Sequence, residues 1–221
     1  MASTTLNHEL IAYLKAHSKI PIPLSPEYSK MISGMDFSIS HDPAMQKYRL
    51  AVRAKLQDFN TQVITEESTL TGLKERNMEI ASSILGAVGE KCNIEPPFYC
   101  SWGCNIILGD GVYMNRNVSI FDNASVTIGE RTLIGPNVTI CTDTHETDTR
   151  KRVEGSSFAK PVRIGKECWI GMGACILAGV TIGDGVVVAA GGVVVKDIGS
   201  FVLVAKVPAE VVRTLDGRDR S

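Results

Sequence analysis

Histidine is scarce in this chain, with four in 221 residues, and none of the six cysteines stands in a CxxC pair. The closest two, Cys100 and Cys104, are separated by Ser-Trp-Gly, and His145 is the only histidine in the same part of the chain. A zinc site needs more ligands at workable spacing, so no metal is expected. The cysteines read instead as small apolar residues of a reducing compartment. No run of 18 apolar residues offers a membrane span. The first 20 residues place Glu9 and Lys15 ahead of any apolar run, unlike a secretory leader. The expected location is the cytoplasm. A net charge of −1 provides no field for nucleic acid or an anionic membrane, so neither is an expected partner. No glycine-rich nucleotide loop is present, which sets aside a nucleotidyltransferase. What remains is ordinary globular composition, 44% hydrophobic and 21% charged, enough for one domain with a small appendage.

Two regions differ in texture. Residues 1–90 read as helical, broken by turn residues at Ser25-Pro26 and at Ser40-His41-Asp42-Pro43. Asp42-Pro43 has the form of an N-cap followed by proline at the first helical position. From Ala44 to Phe59, Met45, Tyr48, Leu50, Val52, Leu56 and Phe59 recur at loosely helical spacing, and a second helix is expected from Glu66 or Glu67 to Leu85. Residues 91–221 read as a second domain, with an excursion loop at about 141–161 and a C-terminal tail.

In that second region glycine, valine and isoleucine rise, and a period of six emerges. Aliphatic residues or methionine stand at 108, 114 and 120, then at 128, 134 and 140, then at 164, 170, 176, 182, 188 and 194. Glycine follows directly at 109, 129, 135, 165, 171 and 183, and a small or β-branched residue falls four places on, as at Val112, Val138 and Ala174. Six matches neither the 3.6 of a helix nor the 2 of a strand. It is the period of a solenoid whose short strands form flat faces, three hexapeptides to a coil. The inward aliphatic stacks on its counterpart in the next coil, and the glycine is expected to accommodate the turn. A β-sandwich would require twelve in-phase aliphatics by coincidence.

The repeat breaks twice. It slips by two residues between Ile120 and Ile128, and it vanishes between Ile140 and Ile164 over a polar stretch containing His145. Long loops leaving a rigid scaffold carry function. His145 is the sole histidine of the repeat region, at the base of this loop, with Asp143 and Asp148 close enough in sequence for one to orient its ring. A neutral imidazole suits removal of a hydroxyl proton during acyl transfer from a thioester, which needs neither metal nor enzyme nucleophile. The developing oxyanion needs a donor, which a backbone N–H can supply. Cys141 follows a corner aliphatic and reads as structural rather than as an acyl carrier.

Taken together, Ile94-Glu-Pro-Pro-Phe-Tyr, Tyr113-Met-Asn115, Ile134-Gly-Pro-Asn-Val-Thr-Ile, Thr142-Asp-Thr-His145, Lys160-Pro-Val-Arg-Ile-Gly, Trp169-Ile-Gly-Met-Gly-Ala, Lys196-Asp197-Ile and Val207-Pro208-Ala form an ordered set. From about Gly34 to Arg213 the chain resembles the sugar O-acetyltransferases, the maltose and galactoside acetyltransferase family. The resemblance implies a mainly β fold, a left-handed parallel β-helix with an N-terminal α-helical region, against the usual right-handed crossover. It also implies acetyl-CoA as co-substrate and a homotrimer with active sites between subunits. Carried over by position, His145 takes the place of the base. Asn115, Asp122 and Asn123 take those of acceptor-side polar groups, joined by Ser101, Tyr113 and Arg49. Trp169 walls the cleft, Met172 and Ala190 offer backbone groups to the pantetheine arm, and Lys196 and Arg213 meet the phosphates.

The departures fall unevenly. Phe37-Ser38-Ile39 lacks the acidic residue that follows the aromatic in the family, Val195 replaces a hydroxyl residue at a coenzyme position, and Glu210 stands where a basic residue is usual. The acceptor half has drifted more than the coenzyme half. The expected activity is O-acetylation of a small-molecule hydroxyl, on a sugar or a hydroxylated natural product. The competing readings are N-acetylation of an amino sugar or antibiotic on the same fold and a trimeric scaffold without chemistry. A zinc hydratase on a β-helix would need three histidines where the coil has one.

Overall fold

A computed structural model describes residues 1–215. Helices come first: α1 (His8–His17), α2 (Pro26–Ile32), α3 (Pro43–Asn60) and α4 (Leu70–Ile84). Each starts on a side-chain cap. Asn7, Ser25, Asp42 and Thr69 accept from the backbone N–H of Leu10, Tyr28, Met45 and Gly72. The Asp42-Pro43 start is the one read from the sequence. The second expected helix begins later than Glu66 or Glu67, because the Thr69 hydroxyl, not a glutamate, satisfies the first free N–H.

Beyond residue 92 the chain winds as a parallel β-helix with three faces. The first face stacks Asn93–Ile94, Tyr113–Met114, Leu133–Ile134, Trp169–Ile170, Val187–Val188 and Val202–Ala205. The second stacks Phe98–Cys100, Val118–Phe121, Thr139–Cys141, Cys175–Ile176 and Val193–Val194, and the third Ile106–Leu108, Val126–Ile128, Val162–Ile164 and Thr181–Ile182. All neighbours within a face are parallel. One strand, Glu210–Thr214, then turns back antiparallel on Val202–Ala205.

The six-residue period has a direct spatial meaning. All twelve periodic aliphatics are buried, none more than 3% exposed, and they form one core with Val52, Leu56 and Phe59 of α3 and Ala81 and Ile84 of α4. These two helices therefore plug the start of the coil. A second cluster, Leu10, Leu14, Tyr28, Met31, Ile32 and Met45, closes α1 and α2 over Trp102.

The glycine after each aliphatic does a different job from the one expected. None of Gly109, Gly129, Gly135, Gly165, Gly171 and Gly183 has positive φ; that conformation falls two residues later, at Gly111, Arg131, Asn137, Glu167, Gly173 and Gly185. The glycine is required by space. A Cβ at Gly171 would sit 2.6 Å from the Ala190 nitrogen of the next coil. The extra residues between Ile120 and Ile128 form a longer corner at 122–125, whose Asp122, Asn123, Ala124 and Ser125 are all buried.

The polar stretch after Ile140 is more ordered than a loop. Asp143–Thr144 pairs antiparallel with Phe158–Ala159, pinching off an excursion that carries a short helix, α5 (Thr149–Val153).

Because Ile170 stacks on Ile134 of one neighbouring coil and on Val188 of the other, Ile170→Ala is expected to cost about 2–5 kcal/mol. Urea unfolding at fixed protein concentration measures it, and a loss under about 1 kcal/mol would contradict the shared-core description.

Candidate active site

Two corners of the coil carry the polar groups. The corner between the second and third faces gathers Ser101, Asp122, Asn123, Asp143 and, at the root of the excursion, His145. It is held by a buried network. Tyr28 Oη donates to Asn105 Oδ1 (2.6 Å), Asn105 Nδ2 donates to the Asp122 carbonyl (2.6 Å), and Trp102 Nε1 donates to Asn123 Oδ1 (2.6 Å). Asp122 Oδ1 accepts the backbone N–H of Ser101 (2.8 Å) and of Trp102 (2.9 Å). Its Oδ2 is buried with no hydrogen-bond partner among the described residues. Burial pushes the Asp122 carboxyl up to about 6, against the pull of those backbone donors. Asp122 is therefore an internal strut that fixes Ser101 and the turn beside it, not the acceptor-side group expected from its position.

His145 is exposed at the loop mouth. Its Nδ1 lies 2.9 Å from the Ser156 carbonyl oxygen. A carbonyl only accepts, so Nδ1 carries the proton, and in the neutral ring Nε2 keeps its lone pair. Neither expected carboxylate orients the ring. Asp148 caps α5, accepting from Arg150 N at 2.9 Å. Asp143 sits lower in the corner. Burial raises its pKa, while the Thr142 hydroxyl, the Arg49 charge, the Asn123 N–H and the charge of His145 pull it down. Arg49 itself packs over the Trp102 ring at 5.6 Å. With Arg53, Tyr99, Ser101, Ser119 and Phe121 it lines a cavity of about 140 Å³. Burial raises the Cys141 thiol, which leaves it protonated and poorly nucleophilic.

The other corner, between the first and second faces, carries Asn115, with Met172 and Ala190 on later coils of the same column. Asn115 Oδ1 accepts from Arg116 N (2.7 Å), which leaves the amide NH2 as its remaining function. The Met172 carbonyl accepts from Gly191 N (2.8 Å), so its N–H is what is left for a ligand. Tyr113 and Trp169 lie on the first face. Tyr113 Oη donates to Glu95 (3.0 Å), which also pairs with Arg116, and Trp169 is 56% exposed between Leu133 and Val187. Val195 and Lys196 follow the last second-face strand, above His145 in the same corner. Arg213 pairs opposite Leu203 on the returning strand, and Glu210 forms an ion pair with Lys206 (2.8 Å) rather than facing a phosphate as a cation would.

A single chain therefore separates the expected site residues. Asn115 and His145 flank the second face at opposite ends, with a three-residue strand, about 10 Å, between their corners. Three residues escaped sequence reasoning: Ser156, which acts through a backbone carbonyl, and Asp36 and Glu146, which bind the excursion to the N-terminal segment. Only the return of a long polar loop to its own start hinted at the first. Among the described residues no three His, Cys, Asp or Glu side chains gather as a metal site, and no helix is long and apolar enough to cross a membrane.

A three-faced parallel β-helix with an isolated histidine at the base of its long excursion defines the hexapeptide-repeat acyltransferases. Residues 161–196 match the hexapeptide repeat of succinyl-transferase, and residues 30–89 match the maltose acetyltransferase hexapeptide capping motif. The galactoside O-acetyltransferase of Lactococcus lactis is 32% identical over 87% of this chain and 90% of its own length. A galactoside acetyltransferase in complex with coenzyme A superposes with a TM-score of 0.80 at 34% identity, covering 89% of this chain and 94% of that one. A hexapeptide-repeat acetyltransferase of Vibrio cholerae complexed with acetyl coenzyme A gives 0.78 at 31%, covering 87% and 100%. The chain belongs to the maltose and galactoside O-acetyltransferase family, and it is an acetyltransferase.

Asp122 makes stability depend on pH in a defined direction. A carboxyl raised from its ordinary 3.8 to about 6 stabilises the fold when protonated; that contribution is full below about 4 and lost as pH rises through 6. Asp122→Asn, neutral throughout, should gain on wild type by on the order of 2–3 kcal/mol between pH 4 and 7 in paired urea titrations. A difference that stays constant across that range would contradict the assignment.

Proposed function

We propose that this protein transfers the acetyl group of acetyl-CoA to a hydroxyl of a small molecule by direct attack, with His145 as general base. The observation that carries the reading is the Nδ1–H bond to the Ser156 carbonyl, which leaves Nε2 as the basic nitrogen at the mouth of the excursion. Nε2 takes the proton of the acceptor hydroxyl as its oxygen attacks the thioester carbonyl. The tetrahedral intermediate collapses with loss of the coenzyme A thiolate, and the imidazolium returns its proton to that sulfur. No acyl-enzyme is formed, in keeping with the half-buried Cys141, whose thiol is kept protonated by desolvation.

The donor fits the chain's own groups. The exposed Trp169 and Met172, with the N–H groups of Met172 and Ala190 along one corner, suit a pantetheine arm that is apolar apart from two amides. Lys196 and Arg213 supply cations for its phosphates, and Val195 adds an apolar contact where the hydroxyl is lost. Met172 and Ala190 lie on a different corner from His145 and Arg213 on the returning strand, while Val195 and Lys196 share its corner, so the complete site requires two chains side by side. This supports a homotrimer in which Asn115 of one copy meets His145 of its neighbour, its NH2 donating to the developing oxyanion. The helical region then acts as the acceptor-side cap, through Arg49 and the corner bearing Ser101 and Asn123. Asn123 has its oxygen occupied by Trp102, so it presents a donor to the acceptor, while Tyr113 is tied to Glu95 and walls the first face. With no carboxylate at Phe37-Ser38-Ile39, the acceptor differs from a simple maltoside or galactoside; a hydroxylated natural product suits this pocket.

His145→Ala should fold normally yet lose on the order of 100-fold or more in kcat, whereas Cys141→Ala should retain activity; full activity in the first overturns the base. A co-assembled equal mixture of His145→Ala and Asn115→Ala chains should recover about one quarter of the wild-type activity if each site takes one residue from each of two symmetric neighbours. No recovery would place both residues in one chain's site. Acetyl-CoA consumption across alcohols, simple glycosides and amines tests the acceptor: turnover led by glycosides or by amines would reject this reading.

A further inference from the structure

We infer that Asp36 and Glu146 are positioning residues for His145, and that through them the N-terminal segment sets the ring's tautomer and aim. This rests on His145 being the base, as proposed above.

The excursion leaves the coil through Asp143–Thr144 and returns through Phe158–Ala159, so His145 and its partner Ser156 lie just beyond that two-stranded neck. Both sides of the neck are tied to the N-terminal region. On the returning side, Asp36 Oδ1 accepts from the Ser157 backbone N–H at 2.9 Å. The peptide nitrogen held by Asp36 belongs to the same amide as the Ser156 carbonyl that receives His145 Nδ1–H. One planar unit thus carries both bonds, and a shift at Asp36 passes directly to the oxygen that orients the imidazole. On the outgoing side, Glu146, next to His145, accepts from Ala2 N at 3.1 Å through Oε1.

Neither anchor floats. Ser3 N donates to the Gly34 carbonyl (2.8 Å), Ser3 bridges Met35, and Asn7 N donates to Ser33 Oγ (2.8 Å), so residues 2–7 are laid along the segment that leads into Asp36. That segment presses on the neck: Gly34 has φ of +71°, and a Cβ there would stand 2.9 Å from the Ala159 carbonyl oxygen. Across the excursion, Arg152 Nη1 donates to the Glu146 and Thr147 carbonyls at 3.0 and 2.6 Å, holding the segment just beyond the outgoing strand from the other side. The histidine is exposed, yet the peptide that aims it is fixed from a segment more than 100 residues away in sequence.

Steady-state kinetics at saturating acceptor, with 15N spectra of histidine-labelled protein, tests this. Asp36→Ala should lower kcat about tenfold, the scale of a small misplacement of a catalytic group, with KM for acetyl-CoA within about twofold of wild type. Asp36→Asn, which keeps the accepting oxygen, should stay within about twofold of wild type in kcat. The wild-type His145 signals should report a neutral ring protonated at Nδ1, shifting toward a tautomer mixture in Asp36→Ala. If Asp36→Ala does not fold, Glu146→Ala against Glu146→Gln asks the same question from the other side of the neck. Unchanged kcat and tautomer in the alanine variants, or equal damage in the amide variants, overturns the inference. If His145→Ala is inactive while Asp36→Ala is fully active, only the positioning inference fails; if His145→Ala is active, the base assignment fails first.

Discussion

The structure depends on the close stacking of one coil on the next. Parallel strands stand about 4.8 Å apart, so each residue meets its own counterpart one turn above and below. Twelve inward aliphatics obey this spacing, and so do six glycines whose missing side chains make room for backbone. The constraint is strict because it repeats. A residue that fits one level must fit its neighbours, and the six-residue rhythm shows that requirement in the sequence.

That strictness frees the corners. Where the coil turns, the chain can add residues without disturbing the stack, as it does by two at Asp122-Asn123-Ala124-Ser125 and by a whole excursion after Cys141. Both departures occur at the same corner, on adjacent coils, so they meet. Thr142 Oγ1 donates to the Phe121 carbonyl (2.7 Å) and accepts from Ala124 N (3.0 Å), fastening one departure to the other. Chemistry collects here because this edge of the scaffold tolerates irregular backbone while the faces beside it stay rigid.

How much of this could be read beforehand follows from how each contact is made. The coil was legible because its side chains recur at a fixed interval, and α3 was legible because Asp42 caps it three residues away. The glycine after six of the aliphatics was seen, but its purpose was not, since the atom it avoids belongs to the next coil, far along the chain. His145 stood out by being alone. Its orientation did not, because the partner is a peptide carbonyl, a group that every residue possesses and that leaves no mark in a sequence. Asp143 and Asp148 were nearer in the chain and chemically plausible, yet one is spent within the corner and the other on a helix cap. The folding of residues 1–33 onto the neck was illegible for the same reason: Ala2 and Ser3 take part through their backbone.

The returning strand Glu210–Thr214 has a consequence for the molecule as an object. A parallel stack has no intrinsic last member, and Val202–Ala205 would otherwise offer its edge to any extended chain in the same direction. The antiparallel strand covers that edge with Glu210 and Arg213 and with backbone running the wrong way for another coil. Helices α3 and α4 close the opposite end with side chains instead of strands. A repeating fold that could in principle grow as a fibre is thereby given a definite length.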